Sequence, residues 1–161
     1  MERKGGMSSK EGLIQKILLE NYQSYYRLAF SYVHQEEDAM DIVQEGAYKA
    51  MLKANTLQEV SFAGTWVYRI MINTAKEYIR KYHKPYEELK EDCATAKEDD
   101  CISLELQDVV RKLPIQEKTL IILRFYEDKS LAEIAEILQE NLNTVKSRLY
   151  RTLEKLRKEL S

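Results

Sequence analysis

The chain has 161 residues, of which 44% are hydrophobic and 32% charged, and its formal net charge is −2. This balance is typical of a folded globular protein, and the length suits one ordinary domain or two small helical ones. Free-standing nucleic-acid-binding domains are usually basic. If this chain binds DNA, a partner must therefore supply much of the attraction for phosphate.

Helix-breaking residues are scarce, with 5 Gly and 2 Pro in the whole chain. The composition predicts an all-α protein with short connections. The sequence has no apolar run near 18 residues and no signal-peptide pattern, so it predicts neither a membrane span nor export. We therefore expect a cytoplasmic protein.

The cysteines and histidines form no recognisable site. Cys93 and Cys101 are too far apart for a C-x-x-C redox pair, and His34 and His83 stand far from each other. Neither a zinc site nor another metal site is predicted. We expect free thiols and no cofactor.

The first helical segment follows a polar N-terminus. Residues 1–12 are rich in Gly, Ser and charged side chains and are expected to form a disordered tail. Helical periodicity then runs from Leu13 to Val33. Its predicted core positions are Ile14, Ile17, Leu18, Tyr25, Leu28, Ala29 and Tyr32.

An acidic helix is predicted from Glu36 to Asn55. Asp38, Asp41 and Glu45 recur at i, i+3 and i+7 with Gln44 beside them, which places them on one helix face. The opposite face is small, with Ala39, Val43, Gly46, Ala47 and Ala50. The acidic stripe is either a solvated surface or a docking site for a basic partner.

A loop over 56–61 precedes a helix over 62–84. Segment 66–84 contains five basic residues and one acid, which makes a polyanion its natural partner. The stripe at i, i+4, i+7 and i+11 consists of Arg69, Asn73, Lys76 and Arg80. Asn73 is the best candidate for contact with a base.

Three aromatic residues at the start of this helix allow two interpretations. Phe62, Trp66 and Tyr68 could stack on unpaired bases, each contributing about 1–3 kcal/mol. Aromatic residues at helical spacing more often belong to a core. Composition favours the structural interpretation for Trp66.

The sign of the charge reverses after this helix. Segment 86–101 contains seven acids and two lysines with few apolar residues. It predicts a flexible acidic linker over 85–103.

A second helical unit follows the predicted linker. The unit begins near Ile102, its first helical segment is 104–113, and Pro114 marks the start of the next helix. The residues expected to pack beneath the last two helices are Val109, Leu113, Leu120, Ile121, Leu123 and Phe125.

The last thirty residues predict two helices joined by a tight turn. Ser130 and Glu133 have the spacing of a capping box, and Asn141 is a good N-cap for the final helix. The apolar stripe of the first helix is Leu131, Ile134, Ala135 and Leu138. That of the second is Val145, Leu149, Leu153, Leu156 and Leu160.

The final helix has a polar face opposite its apolar stripe, formed by Asn143, Thr144, Ser147, Arg148 and Arg151. Such a pair of helices is typical of a helix-turn-helix, whose second helix enters the DNA major groove. Arginine suits this role because its planar fork bonds to guanine or phosphate. The alternative is a helical hairpin with a solvated basic face.

Successive motifs carry a resemblance to a known family. They read DAMDIVQEGAYKA, FAGTWVYRIMINTAKEYIRK, LPIQEKTLIILRFYEDKSLAEIAEIL and NTVKSRLYRTLEKLRKEL. In this order and spacing they resemble the extracytoplasmic-function (ECF) group of bacterial RNA polymerase sigma factors. The resemblance covers nearly all of the chain from Tyr22 to Leu160.

This resemblance implies a promoter-specificity subunit that has no catalytic activity, cofactor or small-molecule substrate. It places sigma region 2 at 13–84, the acidic linker at 85–103 and the region 4 helix-turn-helix at 104–161. The linker would thread near the active site and RNA exit path of polymerase. The residues implied to dock on the clamp helices of core RNA polymerase are Asp38, Asp41, Gln44 and Glu45.

The resemblance also implies two promoter contacts. The −10 element would be melted and read by Gln58, Ser61, Trp66, Arg69, Asn73, Lys76 and Arg80. The −35 element would be read by Asn143, Thr144, Lys146, Ser147, Arg148 and Arg151. Members of the family are commonly inhibited by a cognate anti-sigma factor, often anchored in the membrane, so promoter DNA, core polymerase and such an inhibitor are the implied partners.

The turn after Leu138 departs from the family pattern. Members usually have Gly followed by an apolar residue there, whereas this chain has Gln139 and Glu140. Leu142 then becomes the candidate for the buried position.

Two other functions fit the sequence. A stand-alone helix-turn-helix regulator would bind its operator without polymerase, usually as a dimer. A helical adaptor would bind polymerase without reading DNA, and the polar face of the final helix would have no DNA partner. Transcription from specific promoters with core polymerase separates these possibilities.

Overall fold

The computed structural model describes residues 9–82 and 104–160, which form eight α-helices and no strand. The chain divides between positions 88 and 89 into two compact units. The all-α prediction with two helical domains is therefore confirmed. The predicted acidic linker at 85–103, including Cys93 and Cys101, lies outside the described residues.

The described residues of the first unit, 9–82, form four α-helices: α1 (Ser9–Glu20), α2 (Tyr22–Val33), α3 (Glu36–Leu52) and α4 (Ala63–Tyr82). Two 3₁₀ turns, Ala54–Thr56 and Val60–Phe62, connect α3 to α4. Helices α2, α3 and α4 pack against one another and α1 packs on α3 and α4. Of the predicted core positions in α1 and α2, those that are buried are Ile14, Tyr25, Leu28, Ala29 and Tyr32.

The N-terminal part of this unit differs from the sequence prediction in two places. Helix α1 begins at Ser9, so 9–12 are helical and do not belong to the predicted tail. The single helix expected from Leu13 to Val33 is interrupted at Asn21, whose side-chain Nδ2 donates to Ile17 O at 3.0 Å. This local bond competes with a continuous helix.

The small face of α3 allows α4 to approach closely. Ala39, Val43, Gly46 and Ala50 are buried there. A Cβ on Gly46 would lie 2.5 Å from Met71 Sδ, so any larger residue here would force the Met71 side chain to move. Close contact between α3 and α4 fixes the acidic and basic stripes relative to each other.

In the second unit, the part of the chain that the structure describes (104–160) also forms four α-helices: α5 (Leu104–Arg111), α6 (Ile115–Ile121), α7 (Leu131–Leu138) and α8 (Leu142–Leu160). A π-helical turn, Ile122–Tyr126, extends α6. Helix α8 packs on α5, α6 and α7. The predicted core residues Leu113, Leu120, Ile121 and Leu123 are buried.

Two core predictions in this unit were wrong. Phe125 is 53% exposed because it lies in the π-helical turn, where Glu127 N donates to Ile122 O at 2.9 Å. The wider turn changes the facing of its side chains relative to a regular α-helix. Val109 is only partly buried, and Val110 takes the core position at 7% exposure.

The helix starts predicted near the C-terminus are confirmed. Ser130 Oγ accepts a bond from Glu133 N at 3.1 Å, and Ser130 N donates to Glu133 Oε1 at 2.8 Å. Asn141 Oδ1 accepts from Asn143 N at 2.8 Å, which caps α8. Over the described ranges 9–82 and 104–160, every helix is too short or too polar to cross a membrane.

Candidate functional site

The acidic stripe of α3 lies on the outer face of the first unit. Asp41, Gln44 and Glu45 are exposed and Asp38 is half-buried. Tyr78 Oη, from α4, donates to Asp38 Oδ1 at 2.9 Å and lies 3.4 Å from Asp41 Oδ2. Burial and these carboxylates raise the pKa of Tyr78 above its usual value, so the hydroxyl remains a donor at neutral pH.

A second link between the same two helices is ionic. Lys49 Nζ lies 3.1 Å from Glu77 Oε1 and 3.8 Å from Glu45 Oε2. Arg80 Nη2 lies 3.7 Å from Glu77 Oε2. Hydrogen bonding and attraction from Lys49 hold the pKa of Glu77 below its usual range. A chain of alternating charges thus connects the acidic stripe to the basic one.

The basic stripe of α4 is accessible along most of its length. Asn73, Lys76 and Arg80 are exposed and Arg69 is partly exposed. An open groove runs between the C-terminal end of α3 and the side of α4. It is lined by Lys49, Lys53, Ile70, Asn73, Thr74, Lys76, Glu77 and Arg80. The lining has four cations and one acid, Glu77, so it carries a positive charge suited to a strand with a phosphate backbone.

The three aromatic residues at the start of α4 differ in accessibility. Phe62 is 51% exposed and Trp66 is partly buried. Tyr68 is buried, with its ring edge-to-face with Tyr25 at 5.1 Å between centroids. Stacking of Tyr68 on a base, one of the two possibilities that the sequence allowed, is therefore excluded.

The loop before α4 is anchored at its centre. Leu57 is 3% exposed, and its carbonyl accepts a bond from Lys10 Nζ at 2.7 Å. Gln58 and Ser61 are exposed, and Ser61 Oγ donates to Glu59 Oε2 at 3.2 Å. The buried Leu57 and its bond to Lys10 thus fix the position of the exposed part of the loop.

The turn between α7 and α8 is closed by backbone hydrogen bonds. Gln139 adopts a left-handed conformation with φ 56° and ψ 47°, the conformation usually reserved for glycine at this point. Glu140 N donates to Ala135 O at 3.0 Å and Gln139 N to Glu136 O at 3.3 Å. Leu142 is 42% exposed, so the prediction that it is buried was wrong.

The polar face of α8 is exposed at Asn143, Thr144, Lys146, Ser147 and Arg151. Arg148 differs from them because its side chain is only 15% exposed and its Nη1 lies 2.6 Å from Glu140 Oε1. This ion pair connects the first turns of α8 to the preceding turn. Glu117 of α6 holds the other half of α8 through Lys155 at 2.7 Å.

Sequence reasoning missed several residues that shape these surfaces. Lys49 and Lys53 were not assigned to the basic groove, although two lysines at i and i+4 after an acidic stripe could have drawn attention to them. Tyr78 was not among the predicted site residues, and Glu140 was assigned only to a variant turn. Their partners are 28–40 residues away or depend on the turn geometry, which periodicity does not reveal.

The described ranges contain no cluster of three or more His, Cys, Asp or Glu side chains that could hold a metal ion. Their accessible features are an acidic surface, a basic groove with an exposed amide, and a polar helix face after a tight turn. This combination suits binding to a protein and to a nucleic acid.

Comparisons with known proteins define the class of the chain. The family model described as Sigma-70 region 2 matches residues 17–84, and that described as Sigma-70, region 4 matches residues 103–156. The two units thus correspond to two regions of a bacterial transcription initiation factor.

Similarity to individual relatives shows which group of sigma factors the chain belongs to. RNA polymerase sigma factor SigV of Bacillus subtilis is 42% identical over 94% of this chain and 93% of its own length. ECF RNA polymerase sigma factor SigW of the same organism is 32% identical over 84% of this chain and 82% of its own length. The chain belongs to the ECF group of RNA polymerase sigma factors.

Two solved structures have the same fold. The sigma factor RpoE, in a co-crystal structure with the anti-sigma factor NepR from Bartonella quintana, has a TM-score of 0.73 at 22% identity, covering 91% of this chain and 95% of that one. CnrH, in complex with the cytosolic domain of CnrY, has a TM-score of 0.69 at 20% identity, covering 91% of this chain and 86% of that one.

Proposed function

We propose that this sigma factor docks on core RNA polymerase through α3 and reads two promoter elements, one through the groove at α4 and one through α8. The observation that carries the proposal is the arrangement of the first unit, where an exposed acidic stripe and a basic groove occupy neighbouring surfaces of the α3 and α4 pair. The chain contributes promoter selectivity, and polymerase contributes the catalysis. Because polymerase is its partner, the chain acts in the cytoplasm.

Docking is assigned to Asp38, Asp41, Gln44 and Glu45. Carboxylates on an exposed helix face attract a basic surface, and the effect falls with salt. Charge reversal by Asp41→Lys together with Glu45→Lys should reduce association with core polymerase by at least about tenfold, or 1.4 kcal/mol. The matched control is Glu36→Lys, an exposed acid at the start of the same helix that lies on a different face from the stripe.

The assay is binding of labelled full-length chain to core polymerase, with circular dichroism as a check on folding. Unchanged affinity in a folded double variant would refute the docking assignment. Equal losses in the double variant and in Glu36→Lys would indicate general attraction to acid rather than this stripe.

Engagement of the −10 strand is assigned to Gln58, Ser61, Trp66, Arg69, Asn73, Lys76 and Arg80. The Asn73 amide is exposed in a cationic groove, where it can bond to the edge of an unpaired base. Asn73→Ala should slow promoter melting and spare association with duplex DNA. Permanganate reactivity of the −10 thymines in a polymerase complex measures this, and unchanged melting would contradict the assignment.

Reading of the −35 element is assigned to Asn143, Thr144, Lys146, Ser147, Arg148 and Arg151 in the major groove. Arg151→Ala should weaken use of the −35 element by about 1–3 kcal/mol. Arg157→Ala removes the same charge from the far end of α8 and should have a smaller effect. Equal effects of the two variants on promoter use would show that only general charge matters.

Arg148 requires a separate test because it already pairs with Glu140. Arg148→Ala should also weaken −35 use by about 1–3 kcal/mol if a base or phosphate contact is lost. Glu140→Gln breaks the ion pair and keeps the arginine. If Arg148 contacts DNA, Glu140→Gln should preserve promoter use. A loss equal to that of Arg148→Ala would instead show that the arginine acts only by stabilising the turn.

We also propose that a cognate anti-sigma factor, anchored in the membrane, covers the polymerase-binding surface. Support comes from two proteins of this fold: the sigma factor RpoE was solved in complex with the anti-sigma factor NepR, and CnrH with the cytosolic domain of CnrY. Such an inhibitor should compete with core polymerase for the chain. Simultaneous binding of both proteins would contradict this proposal.

Transcription reconstituted with core polymerase on a library of promoter fragments tests the proposed function as a whole. Specific initiation that requires the chain is the expected result. Operator binding without polymerase would favour a stand-alone regulator, and polymerase binding without initiation would favour an adaptor.

A further inference from the structure

The hydroxyl of Tyr78 lies between two carboxylates that belong to a different helix. Its Oη is 2.9 Å from Asp38 Oδ1 and 3.4 Å from Asp41 Oδ2. The single hydroxyl hydrogen is donated chiefly to Asp38, which is the nearer acceptor. Tyr78 is on α4 and both acids are on α3. The contact therefore joins Tyr78 to two acids that lie 40 and 37 positions before it in the sequence.

Two acids at i and i+3 on a helix repel each other and can adopt several rotamers. A donor between them offsets part of the repulsion and restricts the directions in which the carboxylates point. Restricting a side chain before association lowers the entropy cost of binding. The remaining carboxylate oxygens of Asp38 and Asp41 are then presented on the surface in a defined arrangement.

We propose that Tyr78 is a positioning residue for polymerase docking, which it promotes by holding the Asp38 and Asp41 carboxylates in their binding geometry. The inference rests on the proposed docking role of α3. Tyr78 itself need not touch polymerase. Because Tyr78 is on α4, the helix assigned to the −10 strand, the geometry of the docking carboxylates depends on the position of α4.

The distinguishing variant is Tyr78→Phe, which removes the hydroxyl and keeps the ring. The ring packs beside Tyr82 with 4.9 Å between centroids, so the helix retains its contacts. Tyr82→Phe is the matched control because it removes a hydroxyl from the neighbouring tyrosine, whose residue is 67% exposed. Thermal unfolding of each full-length variant monitors the fold.

The measurement is the dissociation constant for core polymerase in two backgrounds, the natural chain and Asp38→Ala. Tyr78→Phe should weaken binding about fivefold in the natural chain, the size expected for losing a hydrogen bond to a partly exposed charge. In Asp38→Ala the same substitution should change binding less than about twofold, since its main acceptor is gone. Tyr82→Phe should leave binding unchanged.

Other outcomes would overturn the inference. An equal loss in both backgrounds would mean that the hydroxyl acts through the fold and not through Asp38, and no loss in the natural chain would mean that it does not act at all. In either case, a loss with Asp41→Lys and Glu45→Lys would leave the proposed docking role intact. If that charge reversal also has no effect, the docking role fails and the inference fails with it.

Discussion

Lys118 lies on α6 in the core of the second unit, with only 5% of its surface exposed. Burial, with a smaller contribution from repulsion by Arg111, lowers the pKa of Lys118 from its ordinary 10.5 to about 8. Replacing it by methionine keeps the length of the side chain and removes the charge. We expect Lys118→Met to stabilise the second unit at neutral pH.

The size of the effect follows from the pKa. One pH unit corresponds to 1.36 kcal/mol, so a fall from 10.5 to about 8 sets the cost of the buried charge at up to about 3 kcal/mol. The folded pKa is lower than the unfolded one, so the unfolded chain binds the proton more tightly. The cost is therefore complete below about pH 8 and disappears as the pH rises towards 10.5.

The assay is amide hydrogen exchange at Leu149, a buried position in α8, measured in the full chain at several pH values. At pH 7 Lys118→Met should raise the free energy of opening by up to about 3 kcal/mol, and the gain should shrink between pH 8 and 10.5. The control is Lys158→Met, an exposed lysine on α8. A pKa near 10.5 for Lys118, measured by NMR of the labelled lysine carbon, would refute the reasoning.

Substitutions at three further positions test the packing and the turn. Gly46→Ala should destabilise the first unit by about 1–3 kcal/mol in urea unfolding, because its Cβ would meet Met71 Sδ at 2.5 Å; an unchanged midpoint would show that Met71 can move. Gln139→Gly should stabilise the second unit by about 0.5–1 kcal/mol by relieving the left-handed backbone, and a loss would contradict that conformation. Asn141→Ala should cost about 1 kcal/mol through the lost bond to Asn143 N, and Asn141→Ser should restore it.

Features that depend on neighbouring residues were predictable from the sequence. The capping box at Ser130 and Glu133 and the N-cap at Asn141 use contacts two or three residues away. The small face of α3, with Gly46 at its centre, followed from helical periodicity. The family motifs gave the two helical units and the order of the candidate surfaces.

Features that depend on tertiary contacts or on departures from ideal helix geometry were not predictable. Phe125 has a core-like position in a regular helix, and the π-helical turn moves it to the surface. Leu142 was expected to be buried, but backbone bonds close the turn at Gln139 without it. The Tyr78 contact with Asp38 depends on the packing of α3 against α4, which one helix alone cannot reveal.

We propose that DNA binding depends on polymerase, because a chain with a net charge of −2 has little attraction of its own for phosphate. Fluorescence anisotropy of a labelled promoter fragment with an unpaired −10 segment measures this dependence directly. We expect a sequence-specific complex only when the chain and core polymerase are both present. Equally tight and specific binding by the chain alone would contradict the proposed mechanism.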